Sequence, residues 1–289
     1  MLTILDSLSW AGAPERANED AFGCAGAWAW VIDGFIVSDH LPCMSGASDA
    51  TWFVRFVSGR FAAHAPSAAD GPDLVRRGLS EARAAFLTTA PSTRGADPAS
   101  WPAAALTLIR ARDGVVDCWS LGDTVAYVEQ PDGTVAALGE AAALREAESR
   151  LAGETLRATG LAPDEVRSHP AFRAAMRRNR ERHVDGSGPT VLGMHPDVAQ
   201  RLDHRTARLK PGGDLLLATD GFSALCELYS RMSPDDLVEA ASGSGLEGLA
   251  RELRRLETEV DPLGQRWPRF KRSDDATALL VRYAPTFSS

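Results

Sequence analysis

The stretch Leu215–Phe222, Leu-Leu-Leu-Ala-Thr-Asp-Gly-Phe, most narrows what this chain can fold into. Four apolar residues in a row, set up by the Pro-Gly-Gly turn at 211–213, spell a fully buried strand. The run ends on Asp220 and Gly221. A carboxylate at the tip of a buried strand is held rigidly, and a glycine there lets the backbone turn or come close to something bound. Trp28–Ile32, followed by Asp33 and Gly34, has the same shape. Two such tips point to one rim where strand ends meet and hold a hard cation. Two ordinary Asp-Gly turns are the alternative.

The rest of the chain supplies partners for that rim. Residues 2–10 alternate loosely as an edge strand, and Gly12–Asp20 is a polar loop holding Arg16, Glu19 and Asp20. Ser48 is placed to cap a helix that carries Trp52, Phe53, Phe56, Val57 and Phe61 at helical spacing, an aromatic core face. A second helix runs from about 72 to 90, and the Pro, Ser, Gly and Asp of 91–100 make a loop. The period then changes to 2. Ala104–Arg110, Val115–Leu121 and Thr124–Gln130 read as consecutive strands, with hairpin turns at 112–114 and 131–133 and Gly122-Asp123 at a further tip.

Residues 140–185, dense in Arg, Glu and Ala, read as helices that cover something or form an inserted flap, about 140–190 in all. Their Arg-rich run, Arg173–Arg182, reads first as a solvated face and second as a patch for an anionic partner. Ser233–Ala241 opens with a helix-start signal, Leu246–Leu256 is amphipathic, and Arg266–Arg272 is a basic loop. Ser273-Asp274-Asp275-Ala276-Thr277 precedes a last strand at 278–283. In an antiparallel sheet that start lies where a neighbouring strand finishes, so these carboxylates reach the same rim. Strand runs joined by hairpins and interleaved with amphipathic helix pairs favour antiparallel sheets with helices packed outside them. No linker or repeat divides the 289 residues, which read as one domain, 1–289.

The net charge of −8 argues against nucleic acid or an anionic membrane as the main partner and suits a chain that gathers carboxylates around a cation. Cys24, Cys43, Cys118 and Cys226 are scattered with no zinc spacing and read as reduced thiols. No apolar run approaches the roughly 18 residues of a membrane helix, and no signal-peptide pattern opens the chain. The expectation is a soluble, cytoplasmic protein.

The order Arg…Asn-Glu-Asp, Val-Ile-Asp-Gly, Leu-Gly-Asp, Ala-Thr-Asp-Gly and Ser-Asp-Asp-Ala-Thr, spread over residues 16–277, resembles the type 2C metal-dependent serine/threonine protein phosphatases. The resemblance implies an α+β fold, a four-layer αββα sandwich of two antiparallel sheets flanked by helix pairs, with a metal site at one end. It implies two Mg²⁺ or Mn²⁺ ions, about 3.5–4 Å apart, whose shared water attacks phosphorus. Carried over by position, Asp33 matches the bridging carboxylate, and the Gly34 carbonyl binds one metal. Asp220 and Asp274 match the other direct ligands, and Glu19 and Asp20 the acids that hold metal-bound waters. Asp275 falls one layer further out, and Asp123 matches a carboxylate for an additional metal. Arg16 matches the phosphate-binding arginine, whose fork of donors suits a phosphoryl group. The catalytic set implied is Asp33, Asp220 and Arg16.

The sequence departs from the pattern in three places. Phe35-Ile36-Val37 follows the first Asp-Gly where family members carry Met-Gly-Gly or His-Gly-Gly, so the general-acid position is empty and His40 is the nearest substitute. Arg16 sits four residues before Asp20 rather than five. Ala224 stands where an Asp helps hold an additional metal. The functions in play are hydrolysis of phosphoserine and phosphothreonine in proteins, hydrolysis of a small phosphorylated metabolite on the same fold, and a catalytically silent binding module. Retention of Asp33, Asp220 and Asp274 argues against the last.

Overall fold

The computed structural model describes residues 1–36, 41–188 and 190–284. In chain order they form β1 (Leu2–Trp10), β2 (Asp20–Ala25), β3 (Trp28–Phe35), α1 (Asp49–His64), α2 (Gly71–Thr89) and the short α3 (Ser92–Gly95). The strands β4 (Ala103–Arg112), β5 (Val115–Leu121), β6 (Val125–Glu129) and β7 (Val135–Leu138) follow. Next come α4 (Ala141–Thr159), α5 (Pro163–Ser168), α6 (Pro170–Asp185), β8 (Asp203–Arg208) and β9 (Asp214–Ala218). Last are α7 (Asp220–Glu227), α8 (Pro234–Ser244), α9 (Leu246–Arg255) and β10 (Ala276–Tyr283).

Among the described residues the strands make two five-stranded sheets, ordered β1-β10-β9-β6-β7 and β2-β3-β4-β5-β8, and every pairing is antiparallel. Alternation along each strand sorts side chains into layers. Leu215 and Leu217 of β9 meet Val31, Ile109 and Leu279 between the sheets. Leu216 and Ala218 face outward beneath Phe222, Leu237, Leu246 and Leu253 of α7–α9. On the other side Trp30, Ile32, Leu106 and Leu108 pack under Phe53, Phe61, Leu79 and Phe86 of α1 and α2. The order helix, sheet, sheet, helix is the four-layer sandwich that the resemblance implied. Each fully buried Leu or Phe contributes about 1.5–3 kcal/mol, which is why both faces of each sheet must be covered.

Local signals set the helix starts. Ser48 Oγ accepts from Thr51 N at 3.0 Å to cap α1, and Ser233 with Asp236 forms a capping box on α8. The helical stretch at 140–185 is α4–α6, and a small cluster of Ala152, Val166 and Phe270 seats it on the segment before β10. The Arg-rich run lies on α6; Arg180 is buried and donates to the Trp101 carbonyl at 3.3 Å. No helix among the described residues is long and apolar enough to cross a membrane.

Two expectations need correction. Asp220 does not sit in a turn at a strand tip: β9 stops at Ala218, and Asp220 opens α7, with Thr219 accepting from Phe222 N and Ser223 N. The apolar run hid a helix start, because Phe222, Ala224 and Leu225 of α7 carry on the apolar character of the strand before them. Asp33 also lies inside β3, which continues through Gly34 to Phe35. Pairing with Ala105, Ala104 and Ala103 of β4 carries the strand past the Asp-Gly pair.

Candidate metal centre

Carboxylates from four segments converge on one rim of the sandwich. Asp20 and Asp33 stand directly opposite each other in the β2–β3 register. Trp28, Trp30 and Ile32 face α1 and α2, so Asp33 falls on the inner face. Asp220 follows β9, and Asp274 and Asp275 precede β10, whose Ala278 pairs with Ala218. The end of one strand and the start of its antiparallel neighbour thus deliver acids to one place.

Hydrogen bonds fix the frame. Thr219 Oγ1 donates to Asp20 Oδ2 at 2.9 Å and accepts from Thr277 N at 3.0 Å, tying the two sheets together behind the acids. Asp275 accepts from Gly12 N and Glu19 N, both at 2.8 Å, and pins the polar loop to the rim. Glu19 Oε1 accepts from Ser48 Oγ at 2.5 Å, so the cap of α1 also positions this acid. Close backbone approach explains both Asp-Gly glycines. A Cβ on Gly34 would lie 2.6 Å from the Glu19 carbonyl oxygen, and one on Gly221 would lie 1.9 Å from the Asp275 carbonyl oxygen.

Burial and like charge set the electrostatics. Burial, then the charges of Asp20 and Asp220, hold the Asp33 carboxyl well above the usual carboxylate range. Asp20 is raised well above it by burial and then by Asp275. Burial also raises Glu19, against the lowering effect of Ser48, and pushes Asp123, in the turn between β5 and β6, up to about 7, with Asp220 adding to it. Asp220 goes the other way. Burial works to raise it, but Arg145 and other favourable contacts hold it below its ordinary value.

Arg145 projects from the first turns of α4. Its guanidinium donates to Asp220 Oδ2 at 2.5 Å and to Glu148 at 2.9 Å, and the side chain is almost fully buried. Lys271 bonds Asp274. These two cations occupy two of the rim's acids, and among the described residues no three His, Cys, Asp or Glu side chains close on a common ion position. Asp20 Oδ1 and Asp220 Oδ1 nevertheless remain buried with no hydrogen-bond partner. Each such orphan costs about 1–3 kcal/mol. A cation would relieve both orphans and the mutual repulsion, and the oxygen-only donor set is the chemistry of Mg²⁺ or Mn²⁺. The residues fit such ions.

The remaining sequence candidates are less central. Arg16 is half-exposed, with its guanidinium 3.9 Å from Asp164 of α5. His40 lies outside the described residues. Phe35 packs edge-on against His183 of α6 at 6.3 Å between ring centroids. Burial, with Arg180 and Arg182, pushes His183 down to about 4, so it is neutral at pH 7 and has no proton of that kind to donate. Ala224 is buried in α7. Sequence reasoning missed Arg145, Glu148, Thr219 and Lys271. Two of them left a mark: Thr219 lies inside the Ala-Thr-Asp-Gly motif, and Lys271 is one of just two lysines in the chain, three residues before Asp274.

A four-layer sandwich with an oxygen-donor rim at the end of its sheets defines a class of divalent-metal hydrolase folds. The chain belongs to the protein phosphatase 2C family, whose model matches residues 15–258. It is by that membership a metal-dependent serine/threonine phosphatase in class, a hydrolase. Solved structures agree in fold. The Mycobacterium tuberculosis serine/threonine phosphatase PstP/Ppp superposes with a TM-score of 0.54 at 20% identity over 99% of each chain. PppA from Pseudomonas aeruginosa gives 0.54 at 17% identity over 98% of this chain and 97% of its own. The PstP catalytic domain in complex with two manganese ions gives 0.54 at 17% identity over 97% of each chain. A search of curated proteins finds no match.

Proposed function

We propose that this protein hydrolyses phosphoserine and phosphothreonine esters in proteins, using two Mn²⁺ or Mg²⁺ ions at the rim. The observation that carries the reading is the facing pair Asp20 and Asp33 beside Asp220, with buried, orphaned oxygens on Asp20 and Asp220. Asp33, Asp220, Asp274 and the Gly34 carbonyl would hold the pair of ions directly. Glu19 and Asp20 would hold their waters, and Asp123 is the carboxylate that would serve an additional ion, though Ala224 supplies no second acid for one. When bound, such ions supply Lewis-acid charge for phosphoryl oxygens and a nucleophilic water near neutral pH.

This chain's own residues do the rest. Thr219, Asp275 and Ser48 hold the acids in place, so little reorganisation is left for the reaction itself. Arg16, once off Asp164, orients the phosphate with its fork of donors. Residues 1–289 act as one domain, and α4–α6 serve as its flap.

The test is release of p-nitrophenol from p-nitrophenyl phosphate with EDTA, Mg²⁺ or Mn²⁺, followed by comparison of phosphopeptides with phosphorylated metabolites. Mn²⁺-dependent turnover abolished by EDTA, with phosphopeptides preferred, is the expected outcome. No turnover with any metal would sink the reading.

A further inference from the structure

A cavity of about 380 Å³ opens between α4 and the 266–268 segment, lined in part by Arg145, Ser149, Arg150, Arg157, Arg266 and Trp267. It is a basic hollow in a chain of net charge −8. Four arginines line it against two glutamates, Glu146 and Glu227. Glu146 is taken by Arg150 at 3.0 Å, and Glu227 accepts from the Tyr127 hydroxyl at 2.9 Å. Arg145 is spent on Asp220 and Glu148. Among the described residues Arg157 and Arg266 have no carboxylate within ion-pair distance.

The two unpaired guanidiniums sit on a built frame. Arg266 lies over the Trp267 ring with its central carbon 4.2 Å from the ring centroid. A guanidinium stacked on a face is oriented by it and keeps its N–H edges free for an oxyanion. Trp267 is itself fixed, edge-on to Tyr229 at 5.2 Å, with its backbone N–H donating to Asp261 at 2.9 Å. Across the cavity, a Cβ on Gly153 would lie 3.2 Å from an Arg157 nitrogen and 3.3 Å from Pro268. The absent side chain lets α4 approach Pro268 and leaves Arg157 its room. The hollow and the acid rim share one wall, because Arg145 lines the first and bonds Asp220 of the second.

We propose that this cavity is a substrate subsite for a second anionic group, a phosphate or a carboxylate, on the segment whose phosphoester is held at the rim; the assignment rests on the phosphatase reading above. Arg157 and Arg266 would grip the anion, and the enzyme would then favour acidic or multiply phosphorylated segments.

Two measurements test it on the full chain and on R157Q/R266Q, both positions being exposed and outside the metal centre. The first is a calorimetric titration of inorganic phosphate in EDTA, where no metal contributes. Binding to the wild type, weakened about tenfold or more in the double variant, is expected. The second is Mn²⁺-supported kinetics on phosphopeptides whose neighbouring residues are Glu, a second phosphoserine, or neutral. The wild type should show a KM about tenfold lower for one or both anionic sets, which names the source of the anion, and the variant should lose that gap. Turnover of p-nitrophenyl phosphate should be the same in both proteins. Equal phosphate binding by the two proteins, or a peptide preference that survives the double substitution, overturns the subsite. Absence of p-nitrophenyl phosphate turnover instead overturns the phosphatase reading, and the titration then decides the anion site by itself.

Discussion

Asp33 and Arg145 both bear on Asp220, one as a neighbouring carboxyl and one as its counter-ion, and substitutions at the two should separate in the metal-free protein. Asp33→Asn removes one of several like-charged carboxyls at the rim. The metal-free protein should gain stability, about 1 kcal/mol, while activity falls about 100-fold or more and the Mn²⁺-induced rise in Tm disappears. Thermal unfolding in EDTA and in Mn²⁺ reads both effects; near-normal turnover at saturating Mn²⁺ would remove Asp33 from the centre. Arg145→Gln leaves Asp220 buried without its counter-ion. The metal-free protein should lose about 3–5 kcal/mol, and Mn²⁺ should restore much of it, so the metal-induced rise in Tm exceeds that of the wild type. An equal rise in the two proteins would show that guanidinium and metal do not compete for Asp220. The acids of the rim were legible in the sequence because an apolar run ending in Asp-Gly is a local pattern. Arg145 was not, since one arginine among the Arg, Glu and Ala of 140–159 looks like any solvated face until the helix is docked.

At the scale of elements, the alternating runs of β4–β6 and the apolar stripes of α1 and α2 announced themselves, because their periods are set by the faces they bury. The strand β2 did not: six residues that include Gly23 and Cys24 carry too little pattern, and the pairing with β3 supplies what propensity lacks. The start of α7 was hidden for the converse reason, and it yields a discriminating substitution. On helix propensity alone Gly221→Ala should stabilise α7 by about 1 kcal/mol. The new Cβ would fall 1.9 Å from the Asp275 carbonyl oxygen, which is backbone and cannot swing aside. Overpacking of this kind costs about 1–3 kcal/mol and displaces the segment that carries Asp274 and Asp275. A lowered Tm together with weaker Mn²⁺ binding by calorimetry is the expected result; a stabilised variant with intact binding would contradict the geometry.

For the molecule as a whole, stability against acid depends on where α6 is seated. His183 is pushed from 6.5 to about 4 in the fold, so between those values the unfolded chain takes up the proton that the folded one refuses. Its contribution is complete above pH 6.5 and is lost as pH falls towards 4. Glu19, Asp20, Asp33 and Asp123 have the reverse sign, because a raised folded pKa makes protonation favour the metal-free fold, whereas Asp220, held low, loses stability as pH falls. Comparing the wild type with His183→Asn cancels the acids. Tm measured in EDTA from pH 7 to 4 should fall more steeply for the wild type, and parallel curves would mean that His183 is not held neutral.

Helix α4 brings Arg145 to Asp220 at one end and packs Ala152 and Gly153 against Phe270 and Pro268 further along. A cation that takes Asp220 from Arg145 therefore also loosens the helix that delivers it. Loading of the rim and docking of α4 become two faces of one equilibrium, each altering the other by the same factor. The apparent affinity for the ion is then set as much by small residues in the middle of a helix as by the carboxylates that touch it.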